Sequence, residues 1–114
     1  MKDRSLIVAR MQPDHADAVA QLFATSDQTA LPRVLGVARR NLFTSGGELY
    51  FHYVEFDGSA RQTLTEAAER ADFRRLSEQL SPFVRPYDPA TWRSPQDALA
   101  RQFYSWTPDG GPRR

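Results

Sequence analysis

The sequence predicts a single α+β domain in which a four-stranded antiparallel sheet carries helices on one face. Three observations lead to this prediction. An apolar strand is followed at once by an amphipathic helix, two further strands are joined by a glycine-containing turn, and a long helical region precedes a last aromatic strand. The order β-α-β-β-α-β is the ferredoxin-like arrangement. The 114 residues suit one domain, 1–114, with a flexible tail over 107–114.

The first strand and the first helix are the simplest elements to place. Residues 5–11, SLIVARM, are rich in β-branched and apolar side chains, which is typical of a strand covered on both faces. Pro13 and Asp14 then favour a helix start, since proline suits the first turn and aspartate the positive helix end. The helix should end near Thr25. Its apolar positions recur at helical spacing and are Ala16, Val19, Ala20 and Phe23.

A hairpin follows, and its second strand has the clearest pattern in the chain. Residues 36–43, GVARRNLF, and 49–56, LYFHYVEF, read as two strands. The turn between them, at 44–47, contains two glycines, as short hairpin loops often do.

The remaining chain predicts a second helical region and a fourth strand. Residues 60–82 have a helical pattern, with a break near Ala71, and Pro82 and Pro86 bar its continuation. A loop is expected over 87–95. Residues 99–106, LARQFYSW, then read as the last strand.

The strands carry apolar or aromatic side chains on both faces. In a sheet with one solvent-exposed face, polar and apolar residues alternate more regularly along each strand. A chain of this length buries a limited core. We therefore expect the second sheet face to be covered by a second copy, giving a homodimer that forms a dimeric α+β barrel. The side chains behind this expectation are Tyr50, Phe51, Tyr53, Val54, Phe103, Tyr104 and Trp106.

Composition excludes several function classes. The net charge is +1 without a concentrated basic patch, which argues against nucleic-acid binding. There are no cysteines, so disulfides and thiolate chemistry are excluded. No apolar run reaches the length of a membrane helix or of a signal peptide, so the expected location is cytoplasmic, without membrane attachment. His15 lies near Asp14 and Asp17, but the spacing does not make a metal site, and no metal or organic cofactor is expected.

Four stretches in this order resemble the tetracenomycin-type aromatic polyketide cyclase family: LIVARMQPDHADAVAQLFATSD, LPRVLGVARRNLF, LYFHYVE and FYSWT. The resemblance implies a dimeric ferredoxin-like barrel with a pocket between the sheet and helices of each subunit. It also implies aldol-type ring closure of a poly-β-ketone without a cofactor. Asp27, Arg40 and His52 stand where family members have polar pocket residues. The chain departs from the family pattern at Ser26, where a histidine is expected beside the aspartate.

The three polar positions also suit this chemistry by residue type. Histidine titrates near neutrality, so His52 could move a proton, although a half-buried strand histidine is the simpler reading. Arginine can hold two oxygens of an enolate, and Arg40 shares a face with His52 if the hairpin sets it opposite Val54. If the hairpin register is shifted by one residue, Arg39 instead of Arg40 shares the face of His52.

Asp27 is predicted as a carboxylate at the pocket mouth that either pairs with Arg40 or takes a proton, and its alternative reading is helix-end or turn chemistry. The predicted catalytic residues are thus His52, Arg40 and Asp27. The predicted substrate-binding residues, which could equally belong to the core, are Tyr50, Tyr53, Phe51, Tyr104, Trp106 and Ser26.

Two rival functions fit the same sequence features. A cofactor-independent monooxygenase that oxidises an anthrone-like phenol could use the same fold and similar substrates. A non-catalytic partner could instead bind the polyketide within a type II polyketide synthase complex.

Overall fold

The structure is a computed structural model that describes residues 3–93 and 95–114. Its main sheet contains β1 (Asp3–Met11), β2 (Val37–Ser45), β3 (Leu49–Phe56) and β4 (Val84–Pro86). The strands lie in the order β2-β3-β1-β4, and every neighbouring pair is antiparallel. The predicted ferredoxin-like α+β fold is therefore confirmed.

Within the described residues, four helices connect the strands. They are α1 (Ala16–Asp27), α2 (Leu31–Val34), α3 (Ala60–Ala67) and α4 (Ala71–Leu80), and single 3-10 turns lie at Pro13–His15 and Pro95–Ala98. The predicted break in the second helical region is present, because α3 ends at Ala67 and α4 begins at Ala71. No helix in the described ranges is long and apolar enough to cross a membrane.

Burial alternates strictly along β3, which shows which sheet face meets the helices. Its even-numbered residues are buried and its odd-numbered residues are half-buried. The buried set faces α1, α2 and α4, and with them forms a core of Ala9, Met11, Val19, Phe23, Leu31, Tyr50 and Leu76. A second cluster, Val54, Phe56, Ala60 and Leu64, lies where α3 packs on the same face.

The hairpin register sets Arg40 opposite Val54, and the next pairing sets Ile7 opposite His52. A bulge between Val37 and Arg39 shifts the start of β2. Just before it, Gly36 has a φ of 69°, a left-handed conformation that glycine adopts without strain. The Gly36 carbonyl accepts a hydrogen bond of 2.8 Å from the Asp57 N–H, which ties the hairpin ends together.

The prediction of residues 99–106 as the fourth strand of the sheet is wrong. The fourth strand is Val84–Pro86, which pairs with residues 9–11 of β1 directly after α4. Its proline is tolerated because the strand lies at the sheet edge. Leu99 makes a single bridge to Ile7, and the Ala100 N–H donates to the Leu6 carbonyl at 2.7 Å, after which the chain leaves the sheet.

The end of the chain forms a separate ribbon. Two short strands, β5 (Ser105–Thr107) and β6 (Gly111–Arg113), pair as an antiparallel hairpin. Of the stretch FYSWT, residues 105–107 therefore belong to a local hairpin rather than to the main sheet. That residues 107–114 are flexible stays a prediction.

Candidate functional site

A cavity of about 420 Å³ lies between the helices and the inner face of the sheet. This volume is within the range of sites for drug-sized ligands. The walls are largely apolar and include Ile7, Phe23, Leu31, Val54, Phe56, Leu64, Phe73, Leu76 and Leu80. Side chains with polar groups are spaced around them and include Ser5, Arg40, Tyr50, His52, Ser77, Ser81, Trp92 and Arg93.

His52 faces this cavity because it is an even-numbered residue of β3. Its side chain is buried, with 8% of the residue exposed. The edge of its ring meets Phe23 of α1, with ring centroids 5.0 Å apart, and Tyr50 lies along the same strand face at 6.4 Å. Aromatic packing on two sides holds the imidazole in a defined orientation.

Burial and the contact with Arg40 together fix the protonation state of this imidazole. The Arg40 Nη1 lies 2.9 Å from the His52 Nε2. A guanidinium can only donate, so Nε2 must accept and the proton of the neutral ring is on Nδ1. Burial, and secondarily the positive charge of Arg40, lower the pKa of His52 to about 3. His52 is therefore a neutral imidazole at working pH.

Arg40 is itself held by Asp27 at the end of α1. Its Nε donates to Oδ2 at 3.1 Å and its Nη2 donates to Oδ1 at 2.9 Å, a bidentate pair. The guanidinium also lies over the Phe23 ring at 4.8 Å. The Arg40 side chain is 16% exposed and that of Asp27 is 36% exposed, so the network runs inward from solvent in the order Asp27, Arg40, His52.

Three of the N–H donors of the Arg40 guanidinium are thus already used within the protein. Sequence reasoning expected it to hold two substrate oxygens, yet two of its nitrogens contact Asp27 and a third contacts His52. Of its five N–H groups, one on Nη1 and one on Nη2 are left by these three contacts. The alternative residue, Arg39, lies on the other sheet face beside Glu55 with its side chain 65% exposed.

Tyr50 is the predicted substrate-binding residue that lines the cavity. It is almost fully buried on β3, and this burial raises the pKa of its phenol despite an opposing effect of Arg40. The hydroxyl therefore stays protonated and is able to donate or accept a hydrogen bond.

The other predicted substrate-binding residues do not line this cavity. Phe51 and Tyr53 are odd-numbered positions of β3 and lie on the outer face, where the Tyr53 hydroxyl donates to Glu55 at 2.8 Å. Tyr104 and Trp106 are exposed in the C-terminal segment. Ser26 is half-buried on α1, and its carbonyl accepts the Thr29 hydroxyl.

Sequence reasoning missed five cavity residues whose side chains carry polar groups: Ser5, Ser77, Ser81, Trp92 and Arg93. A signal existed for Ser5, because a strand over 5–11 places it on one face with Ile7 and Ala9. Trp92 and Arg93 lie in a loop whose path the sequence did not indicate. Within the described ranges, no three His, Cys, Asp or Glu side chains group as metal ligands would.

Comparison with known proteins yields matches along almost the entire chain. The family described as polyketide synthesis cyclase matches residues 3–107. An uncharacterised protein of Streptomyces coelicolor is 48% identical over 108 residues, covering 93% of this chain and 97% of that protein. Tetracenomycin F2 cyclase of Streptomyces glaucescens is 39% identical over 107 residues, covering 94% and 96%. The solved structure of that enzyme, described as a type-II polyketide cyclase, superposes with a TM-score of 0.84 at 38% identity, covering 92% and 97% of the two chains.

Proposed function

The chain belongs to the polyketide synthesis cyclase family, and from this premise we propose that it catalyses a regiospecific aldol-type cyclisation. The proposed substrate is a poly-β-ketone or a partly cyclised intermediate of aromatic polyketide biosynthesis, and dehydration follows ring closure without a cofactor. The observation that supports this best is an apolar cavity of about 420 Å³ with Arg40 and His52 hydrogen-bonded on its wall, and with Asp27, which does not line the cavity, paired with Arg40.

The cavity supplies the first requirement of the reaction, which is to fold a flexible chain so that one carbon meets one carbonyl. Well-oriented intramolecular reactions recover roughly 7–11 kcal/mol of the barrier. Apolar walls between Phe23 and Leu76 favour a compact, stacked substrate over an extended one. Cavity shape thereby selects which ring closes.

The network supplies the second requirement, which is to stabilise negative charge on oxygen. A neutral His52 with its proton on Nδ1 is a hydrogen-bond donor, and the low pKa makes it a poor base. We assign it to the carbonyl oxygen that becomes the alkoxide or enolate, together with the remaining N–H groups of Arg40. A neutral histidine polarises a carbonyl in the same way in triosephosphate isomerase.

The sequence left both His52 and Asp27 as candidates for proton removal, and we assign this step to Asp27. A methylene between two carbonyls is fairly acidic, so a modest base suffices. The Asp27 carboxylate pairs with Arg40, and its side chain is 36% exposed, so a proton that it accepts can pass to water.

The outer face of the sheet supports the homodimer, which is part of the same proposal. Leu6 lies opposite Tyr53, and Val8 and Phe43 lie opposite Phe51, so one apolar stripe crosses three strands. Phe43 is 56% exposed in a single subunit. A second copy would cover this stripe, and type II polyketide synthase components remain the proposed suppliers of substrate.

Product analysis with a minimal polyketide synthase tests the proposal. With the protein present, we expect one cyclised product to replace the mixture that forms spontaneously, and Asp27→Asn should restore most of that mixture. The matched control is Asp17→Asn, an exposed carboxylate on the same helix. An unchanged product mixture would refute the cyclase, and oxygen uptake with a reduced polycyclic phenol would favour the monooxygenase.

A further inference from the structure

Ser5 of β1 carries a buried hydroxyl that the fold does not use. The residue is 9% exposed and lines the cavity. Its Oγ has no hydrogen-bond partner among the described residues, in contrast to the network at Arg40 and His52. Buried polar side chains in native proteins nearly always have a partner, so an unpartnered one requires an explanation.

The surroundings of Ser5 make a structural explanation weak. It faces the helices on the same side of β1 as Ile7 and Ala9, and it lies opposite Val54. The cavity wall at this end is apolar and includes Phe56 and Leu64. Alanine would fill nearly the same space without a desolvated hydroxyl, so folding alone favours alanine here. A ligand oxygen in the cavity would give the hydroxyl its missing partner.

The sheet register gives the distance from Ser5 to the catalytic network. Ser5 lies opposite Val54, and Ile7 lies opposite His52, so Ser5 and His52 are diagonal neighbours on one face. Such neighbours are about 7–8 Å apart. Arg40 lies across Val54 from Ser5. A single ligand oxygen therefore cannot contact both residues. A ligand whose first oxygen contacts His52 needs a second oxygen, a few atoms further along its chain, to contact Ser5.

We propose that Ser5 binds a second keto or hydroxyl oxygen of the substrate and thereby sets which carbonyl reaches Arg40 and His52. This inference rests on the proposed function, because a poly-β-ketone carries oxygens on alternate carbons. Such a substrate can place one oxygen at His52 and another at Ser5. The hydroxyl donates to a keto oxygen and accepts from a phenol, so it serves the substrate before and after aromatisation. Ser5 is a binding residue that determines specificity, and it takes no part in moving protons.

The test compares Ser5→Ala with wild type in apo stability and in affinity for 1,8-dihydroxyanthraquinone, followed by fluorescence. We expect an unchanged or higher melting temperature together with a Kd raised about three- to ten-fold, the worth of one neutral hydrogen bond. Ser81→Ala is the matched control, because Ser81 also lines the cavity but donates its hydroxyl to the Glu78 carbonyl. If Ser5→Ala folds poorly, Ser5→Cys is the second variant. Its side chain is of similar size but is a weaker hydrogen-bond donor, so it should also raise the Kd.

Two results would overturn the proposal. One is an unchanged Kd, which together with a lower melting temperature would show a serine that only holds a structural water. The other is no binding of the anthraquinone by wild type. Reconstitution with the synthase separates this inference from the proposed function. A wild type that directs cyclisation and a Ser5→Ala variant with the same product pattern would refute the role of Ser5 alone. A wild type without effect on products would refute the cyclase, while a Ser5-dependent Kd would still support the binding site.

Discussion

The Nη1 of Arg40 lies 2.9 Å from the Nε2 of His52, and this contact requires a neutral imidazole. A protonated ring would place two donors against each other in a buried site. The same contact orients the ring, because the nitrogen that accepts from Arg40 leaves the other nitrogen as the donor. Arg40 is in turn neutralised by Asp27, so the buried positive charge is tolerated.

The first prediction concerns stability at acidic pH. Burial first, and Arg40 second, lower the pKa of His52 from 6.5 unfolded to about 3 folded. Between these values the unfolded state binds one more proton, so stability falls as pH decreases from about 6.5 towards 3. The His52 share amounts to about 2 kcal/mol between pH 7 and pH 5. Urea unfolding of wild type and His52→Gln at both pH values checks this, and equal pH slopes in the two proteins would contradict it.

The second prediction is that Arg40→Lys is not conservative. Lysine keeps the charge but cannot pair with both oxygens of Asp27 while also reaching His52. Loss of one preorganised donor in such a site costs about 10²–10³-fold in turnover. Arg39→Lys, the neighbouring change on the outer face, should leave turnover near wild type. Comparable losses in the two variants would show that the effect is on folding rather than on the network.

Much of this site could be predicted from the sequence because strand alternation carries the information. The pattern LYFHYVEF fixes His52 and Tyr50 on one face, and a short hairpin turn limits the register enough to add Arg40. Pairing with Arg40 was one of the two roles predicted for Asp27, but the bidentate geometry of that contact was harder to predict. It depends on where α1 ends relative to β2, and sequence spacing alone does not give that geometry.

The fourth strand was mispredicted for a physical reason. An aromatic alternation such as that of residues 103–106 favours a strand but does not say which partner it takes. Val84–Pro86 is a short edge strand of three residues containing a proline, so its sequence carries almost no strand signal. Its position after α4 and beside β1 is a tertiary effect. Likewise, the buried hydroxyl of Ser5 became informative only when its lack of a partner was known.

The third prediction concerns the outer face of the sheet. If a second copy covers the apolar stripe, a charge at Phe43 should prevent association, because a buried unpaired carboxylate is costly. Phe43 is 56% exposed in one subunit, so Phe43→Glu should fold normally and be monomeric by light scattering. Val34→Glu is the control, since Val34 is similarly exposed but belongs to α2 on the helix side. A wild-type monomer at micromolar concentration would refute the dimer directly.

The last prediction separates a donor role of His52 from a base role. Glutamine keeps a side-chain N–H but cannot accept a full proton, whereas alanine keeps neither. If His52 stabilises the oxyanion by donation, His52→Gln should retain about a tenth of wild-type turnover, and His52→Ala should lose about 10²–10³-fold.

The pH dependence of kcat/KM gives a second test of the same role. The rate of the wild type should not fall near pH 6.5 through protonation of His52, because the lowered pKa of about 3 keeps the ring neutral above pH 5. Single-turnover cyclisation rates between pH 5 and 8 measure this, with intrinsic fluorescence confirming the fold of each variant. Equal inactivation by glutamine and alanine, together with an acidic limb near pH 6.5 that vanishes in both variants, would restore the histidine as the base and reduce Asp27 to a partner of Arg40.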